Sequence, residues 1–464
     1  MNNHIRNLPT FKELEQDLFK KLQGVYQSAL VSMLEEIDLL LRDYRDFGRF
    51  QNRERQECTI GTMFGPITIK RRIYVDREKG ERVALLDSYL EFSGSDTLSP
   101  FLTEMAVKWA VKGPSYRDAR DRFCDLLGYQ VMSHEKIRQE VLKIEAKGIE
   151  NQQDVHEEKK AVDVLFLEVD GLHAHKQNSE RSTREIKIGI AHEGWELRHP
   201  SSNEYVLQNK SYWHTLGKGD EFWESFSRYL YNQYDIKEDT YIVINGDGAP
   251  WIRAGVDYFE KAIYVYDYYH AKKWIKTALS KRTKQERRKA YIAVDEKNPV
   301  DLLIAIAEAE KAETDEEKKE EIKDFRLFIL ENQDAFLDYR TILKEKGVDT
   351  EGLRTMGAAE SNMNLFSKRL KKYGYSWSHD GLNSMVGAMI HHFEGRLIEV
   401  IQESKEMKST KIKKETEDKY PSFASLLTEK TRQSIGAIKG HLPALVGDDQ
   451  RKPYIRALRG LVGF

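Results

Sequence analysis

The run AVDVLFLEVDGLHAH, residues 161–175, decides how the rest of the chain is read. It opens as an apolar, strand-like stretch that closes on Asp170. Toward the C-terminus, TREIKIGIAHEGW alternates apolar and polar side chains as a second strand over residues 183–192. EYVLQNKSYWHT predicts a third strand over 204–215. GDEFWESFSRYLYNQYD then spaces Phe222, Phe226, Tyr229 and Leu230 at helical intervals. TYIVINGDG is a fourth strand ending at Asp247, PWIRAGVDYF a short helix, and KAIYVYDYYH a fifth strand, after which AKKWIKTALS opens another helix. The order is three strands, helix, strand, helix, strand, helix.

A ribonuclease-H-like fold uses that order: an α/β architecture with a mixed five-stranded sheet and helices on its faces. In such a sheet the first and fourth strands are neighbours, and polar groups gather for function at strand ends. Asp170 and Asp247 are then brought together. Residues 281–350 read as an all-helical, highly charged insertion, after which GAAESNMNLFSKRLKKYG resumes with Glu360 in the first turn of a new helix. The expected layout is therefore a first core segment at 161–280, the insertion, a second core segment at 351–400 and a helical tail at 401–464.

Upstream, residues 1–150 read as a mostly helical region with a small β element, and GIENQQDVHEEKK, residues 148–160, as a polar linker. Apolar residues from Leu14 to Leu40 recur every three or four positions, one face of a long helix that packs on its own domain or on a second copy. CTIGTMFGPITIKRRIYVD alternates around a Gly65-Pro66 turn as two strands, with Lys70, Arg71 and Arg72 on the second. PSYRDARDRFCDLLG and MSHEKIRQEVLKIEAKG are two helices joined by a short link. With Lys136 and Arg138 early on the second, the pair suits a DNA-reading helix-turn-helix, as it also suits plain helical packing.

Composition bounds the function. The chain has 464 residues, enough for about three domains of roughly 150 residues. With 40% hydrophobic residues it can bury a sizeable core, yet no run approaches the roughly 18 apolar residues of a membrane span. The polar N-terminus lacks a secretory core, and two cysteines are too few for a disulfide framework or a zinc module. A soluble protein of a reducing cytoplasm is expected. The net charge of −2 is not the excess of a typical DNA binder. The charge is clustered, however: His270–Tyr291 carries nine Lys or Arg against one Glu, enough to neutralise phosphates locally, or to form a solvated helix face.

Phosphodiester chemistry needs an activated water or hydroxyl and a stabilised leaving oxygen. Two magnesium ions roughly 3.5–4 Å apart supply both, and a few carboxylates suffice to hold them. Asp170, Asp247 and Glu360 have the required types, separated by 77 (247 − 170) and 113 (360 − 247) residues. Each also has a plain structural use: Asp170 and Asp247 precede glycines as turn formers do, and Glu360 suits a helix N-terminus.

At these residues the chain resembles the ISLre-type bacterial insertion-sequence transposases, a DDE group allied to the Mutator-like transposases. The resemblance covers essentially the whole chain and is carried by VDVLFLEVDGLHAH, YIVINGDGAPWI, VYDYYHAKKW and GAAESNMNLFSKRLKKYGYSWSHDGLNSM. It implies Asp170, Asp247 and Glu360 as catalytic and metal-holding residues, two Mg2+ ions for which Mn2+ substitutes, and DNA as partner. It further implies a homodimer or higher assembly, nucleoid-associated in a bacterial cytoplasm. Asp267 and His270 of DYYH match a short motif that serves DNA contact or support of the site, or else are a satisfied core pair. Lys272 and Lys273 fall in the basic stretch, and Lys368, Arg369, Lys371 and Lys372 follow Glu360, where they suit the DNA backbone. Trp377 suits stacking on an unpaired base, or core packing. His173 and His175 share one strand face without a second ligand pair, and are expected to face solvent.

The reaction expected is hydrolysis at element ends and attack of the freed 3′-hydroxyl on target DNA. The rivals are a catalytically silent DNA-binding descendant, another ribonuclease-H-like nuclease, and a glycoside hydrolase using two acids without metal.

Overall fold

The computed structural model describes residues 9–90, 98–151, 159–177 and 183–406. The chain divides into two compact units, Met1–Glu140 with Ile398–Phe464, and Val141–Leu397. The division falls inside a helix rather than in the polar stretch 148–160, much of which, like most of the expected tail at 401–464, lies outside the described residues. No described helix is long and apolar enough to cross a membrane.

In the first unit, α1 (Phe11–Tyr44) starts on a capping box in which Thr10 and Glu13 satisfy each other's backbone amides. Its C-terminal half lays Leu30, Val31, Leu34, Ile37 and Leu41 on a hairpin of β1 (Phe50–Thr62) and β2 (Gly65–Asp76). Thr62 pairs with Gly65, so the turn is Met63-Phe64 rather than Gly65-Pro66, with Gly65 at φ +120° opening the second strand. β3 (Glu81–Val83) pairs with β2, and α2 (Leu85–Tyr89) follows. The basic cluster is spent inside the fold: Arg72 pairs with Asp38 of α1 and Arg71 with Asp87 of α2, all of them largely out of water. Lys70 alone of the three stays exposed, beside Glu57. α3 (Pro100–Lys112) and α4 (Tyr116–Leu127) start on Ser99 and Ser115 caps, and α4 stops at Gly128 in the left-handed conformation. α5 (His134–Asn151) carries Lys136 and Arg138, tied to Glu140 at 2.9 Å and Glu135 at 2.8 Å.

The second unit is a mixed α/β body. A two-strand pair, β4 (Lys160–Ala161) with the later β10 (Tyr234–Asp235), lies apart from its main sheet. That sheet is built on β5 (Val164–Lys176) and β6 (Thr183–His192), which run antiparallel. A hairpin of β7 (Trp195–Leu197) and β8 (Tyr205–Leu207) precedes β9 (Ser211–Thr215), which adds antiparallel to β6. α6 (Gly219–Gln233) crosses one face. β11 (Tyr241–Gly246) then adds parallel to the free edge of β5, and after α7 (Pro250–Arg253), β12 (Ala262–Tyr266) adds parallel to β11. The strand order is β12-β11-β5-β6-β9.

Phe222, Trp223, Phe226 and Leu230 of α6 form one core layer with Leu165, Leu167, Val169, Ile242 and Ile244. Gly189 of β6 makes this possible, since a Cβ there would stand 2.5 Å from the Phe226 ring. α8 (Tyr268–Ala278), α9 (Lys284–Asp295), α10 (Pro299–Ala312) and α11 (Glu316–Glu331) share a separate core around Ile275, Ile306, Ile322 and Phe325. α12 (Tyr339–Glu345) brings Tyr339 and Leu343 onto the opposite sheet face, against Phe166 and Val243. α13 (Ala359–Leu370), β13 (Ser376–Trp377) and α14 (His379–Phe393) complete this unit, and α15 (Leu397–Glu406) follows.

Three features of this second unit differ from the sequence reading. β5 does not end at Asp170 but runs on to Lys176, because β6 pairs with it as far as His175. The third strand is split: Asn209, at φ +48°, turns the chain between β8 and β9. A short extra strand, β13, joins the far end of β5, with Ser376 opposite His175.

Candidate active site

β5 has two neighbours on one edge and a gap between them. β11 leaves it at Asn245↔Glu168, and β13 joins it at Ser376↔His175. Asp170 lies in that gap. Side chains alternate along a strand, so Phe166, Glu168 and Asp170 share a face. The register pairs Phe166 with Val243 and Glu168 with Asn245. Asp247, the next residue in that phase, follows β11 directly and sits half-buried on the same side as half-buried Asp170. Its Oδ1 accepts the Ala249 amide at 3.0 Å, which fixes the turn into α7. Gly248 holds φ +89° there, and a Cβ would meet the Phe328 and Tyr266 rings at 2.8 and 2.9 Å.

A third acid stands beside them. Asp267 caps α8: its Oδ2 accepts the His270 amide at 3.1 Å and meets the His270 Nδ1 at 2.8 Å. The Asp267 amide donates to the Gly246 carbonyl at 2.8 Å, which sets this cap against the end of β11. Burial pushes the Asp170 carboxyl up to about 6, and the charges of Asp247 and Asp267 push the same way, against the Gly171 amide and His270. Burial alone would lower His270, but its bond to Asp267 and the charges of Asp267, Asp170 and Asp247 hold it above its ordinary value. The His270 ring therefore sits in the field of three carboxylates.

Glu360 occupies the second position of α13, and the start of that helix is tied to β5 by a residue the sequence reading passed over. Glu168, fully buried, accepts the Ala359 amide at 2.7 Å and the Gly357 amide at 3.2 Å. Ala358 offers no capping side chain, so a carboxylate from a strand caps this helix instead. Asn362 adds a second tie, accepting the Tyr212 hydroxyl at 2.7 Å and Lys210 at 3.2 Å. The signal for Glu168 was present in AVDVLFLEVD: one acid inside an otherwise apolar run, two residues before Asp170 and so on its face.

Among the described residues no three His, Cys, Asp or Glu side chains are drawn together closely enough to enclose a metal ion. The donor chemistry nevertheless suits a hard divalent cation. Asp170, Asp247 and Glu360 offer carboxylate oxygens, and the buried Oδ1 of neighbouring Asp267 has no hydrogen-bond partner. His173 and His175 are exposed on the other face of β5.

The remaining predicted residues separate. Lys368, Lys371 and Lys372 are exposed, with Lys372 bonded to Asn364 at 2.8 Å. Lys273 is exposed, and Lys272 pairs with Asp295 at 2.8 Å. Trp377 is not offered to a base: it is 7% exposed, and its Nε1 donates to the Leu370 carbonyl at 3.0 Å. Arg369, 4% exposed, stacks its guanidinium 5.0 Å over that ring rather than reaching toward a DNA backbone. Both residues hold α13 to β13. Lys136 and Arg138 lie in the first unit.

The family model described as "Uncharacterised protein family (UPF0236)" matches residues 4–407 of this chain. A UPF0236 protein of Caldanaerobacter subterraneus subsp. tengcongensis, whose name joins eleven loci of that genome, is 27% identical over 386 residues, 82% of this chain and 77% of that protein. A UPF0236 protein from the vanSb 3′ region of Streptococcus gallolyticus is 28% identical over 386 residues, 81% of each chain. Among solved structures, the Drosophila P element transposase strand transfer complex matches with TM-score 0.24 and 11% identity. That match covers 68% of this chain and 92% of the other, at a score too low to indicate a shared fold.

Proposed function

This chain belongs to the UPF0236 family, and from that premise we propose that it is a DDE-type insertion-sequence transposase of ISLre kind, cutting DNA at element ends and joining the freed 3′-hydroxyl to target DNA. The observation that carries the reading is the placing of Asp170 and Asp247 on one sheet face, at the gap in β5's pairing, with the helix of Glu360 capped from the same strand by Glu168. The strand order, three antiparallel strands beside two parallel ones, supports a ribonuclease-H-like core. A relative whose name joins eleven loci of one genome fits a mobile element, which leaves copies as it moves.

Asp170, Asp247 and Glu360 would hold two Mg2+ ions, with Mn2+ able to substitute, and such ions activate the attacking oxygen and stabilise the leaving one. The chain itself supplies position. Glu168 ties the start of α13, the helix that carries Glu360, to the strand that carries Asp170. The Asp247 turn is locked by Ala249 and by the crowded Gly248. His270, held by Asp267, stands beside the acids, which favour its protonated form; in that form it would offset their repulsion and meet a phosphate oxygen.

The test is excision in cells of a marker flanked by the DNA that borders this gene. Wild type is expected to excise it and Glu360→Gln is not. Equal excision by both removes Glu360 from the site. End binding without excision by either makes the protein a silent DNA binder.

A further inference from the structure

We propose that the groove between α8 and the helical insertion holds the phosphate backbone of the DNA leading into the carboxylate site, an inference that rests on the transposase reading. The groove has a volume of about 910 Å3 and is walled by Tyr269, Lys272, Lys273 and Lys276 of α8, Tyr291 of α9 and Lys318 of α11. No acidic side chain lines it.

Two of the four lysines have their charge engaged, Lys272 by Asp295 at 2.8 Å and Lys318 by Glu321 at 2.6 Å. Lys273 and Lys276 are exposed, and neither forms an ion pair with a described residue. Their charge is available to an outside anion.

The geometry ties this charge to the site. α8 begins at Asp267 and His270, beside Asp170 and Asp247. At 1.5 Å of rise per residue, Lys273 lies about 4.5 Å and Lys276 about 9 Å further along the helix axis than His270. A polyanion leaving the carboxylates along α8 meets the two lysines in succession. A single small anion would leave most of the groove empty, whereas a strand of phosphodiesters fills its length. Tyr269, 44% exposed, stands among the lysines. Lysines interleaved with aromatic rings suit a nucleic acid better than an acidic peptide, because bases stack as phosphates pair. The insertion thereby gains a use: α9 and α11 supply the far wall, and Lys284, Arg287 and Arg288 lie within two turns before Tyr291 on α9.

The experiment uses the full chain, labelled duplex from the border of the gene, and binding measured by fluorescence anisotropy over a series of salt concentrations. Lys273→Gln/Lys276→Gln is expected to melt like the wild type, since both side chains are exposed. Its plot of log affinity against log salt should be shallower by about 1.8, the loss of two phosphate contacts. Binding with the wild-type slope overturns the groove and leaves the transposase reading standing. A shallower slope, together with no metal-dependent cutting by the wild type, upholds the groove and overturns that reading. No DNA binding by the wild type overturns both.

Discussion

Asp170 is half-buried, accepts a hydrogen bond from the amide of its own neighbour Gly171 at 2.7 Å, and has two further acids close by. Negative charge gathered in this way favours a cation. Two results are expected for Asp247→Asn: it abolishes cutting, and it melts no lower than the wild type, because it removes repulsion. Differential scanning with and without magnesium should show a rise for the wild type that the variant lacks. Away from the acids, His214 and His391 are both held to about 4 by burial, His391 further by Arg396 and His214. A histidine whose folded value is depressed lends stability above its unfolded value near 6.5, lost as pH falls toward 4. Urea midpoints should therefore fall between pH 7 and pH 5, and His391→Leu should flatten that fall. An unchanged slope in the variant would show that His391 does not titrate on unfolding.

Glu168 joins two elements that the sequence separates by nearly 200 positions, and its loss would leave the Gly357 and Ala359 amides without acceptors. Glu168→Ala is expected to cost about 1–3 kcal/mol in chemical unfolding and to reduce cutting far more than DNA binding. Trp377→Ala, which empties the seat shared by β13 and α13, should cost about 3–5 kcal/mol by the same measure. The strands at 183–192, 241–246 and 262–266 were legible because alternation and apolar runs are local signals. The continuation of β5 was not, since Asp170 before Gly171 reads as a turn former, and only pairing with β6 carries the strand past it. The split of the third strand turned on one residue, Asn209, whose left-handed backbone leaves no mark on hydropathy. Trp377 and Arg369 sit in the polar context KRLKKYGYSWSH, which left base stacking and core packing both open for Trp377; the two are buried on each other where Trp377 meets the end of α13. Asp247 and Glu360 stand at element ends, as the sequence reading placed them, whereas Asp170 lies within β5. Glu168, Asp267's buried cap and the gap on β5 needed the register.

A chain with net charge −2 can handle DNA only if its positive charge is placed rather than abundant. The structure spends Arg71, Arg72 and Arg49 on internal partners and leaves exposed lysines along α8 and beyond α13. The insertion separates Asp247 from Glu360 in the sequence, yet β5 gathers the first acid and, through Glu168, the helix of the last. Under the proposed chemistry, that arrangement bears on when a newly made molecule could first cut DNA. A ribosome delivers Asp170, Asp247 and the basic groove well before it delivers Glu360, and the strand that latches α13, Ser376–Trp377, comes later still. Under the proposed chemistry a nascent chain can hold DNA while unable to cut it, and only a chain translated past β13 carries the complete set of acids with α13 latched in place.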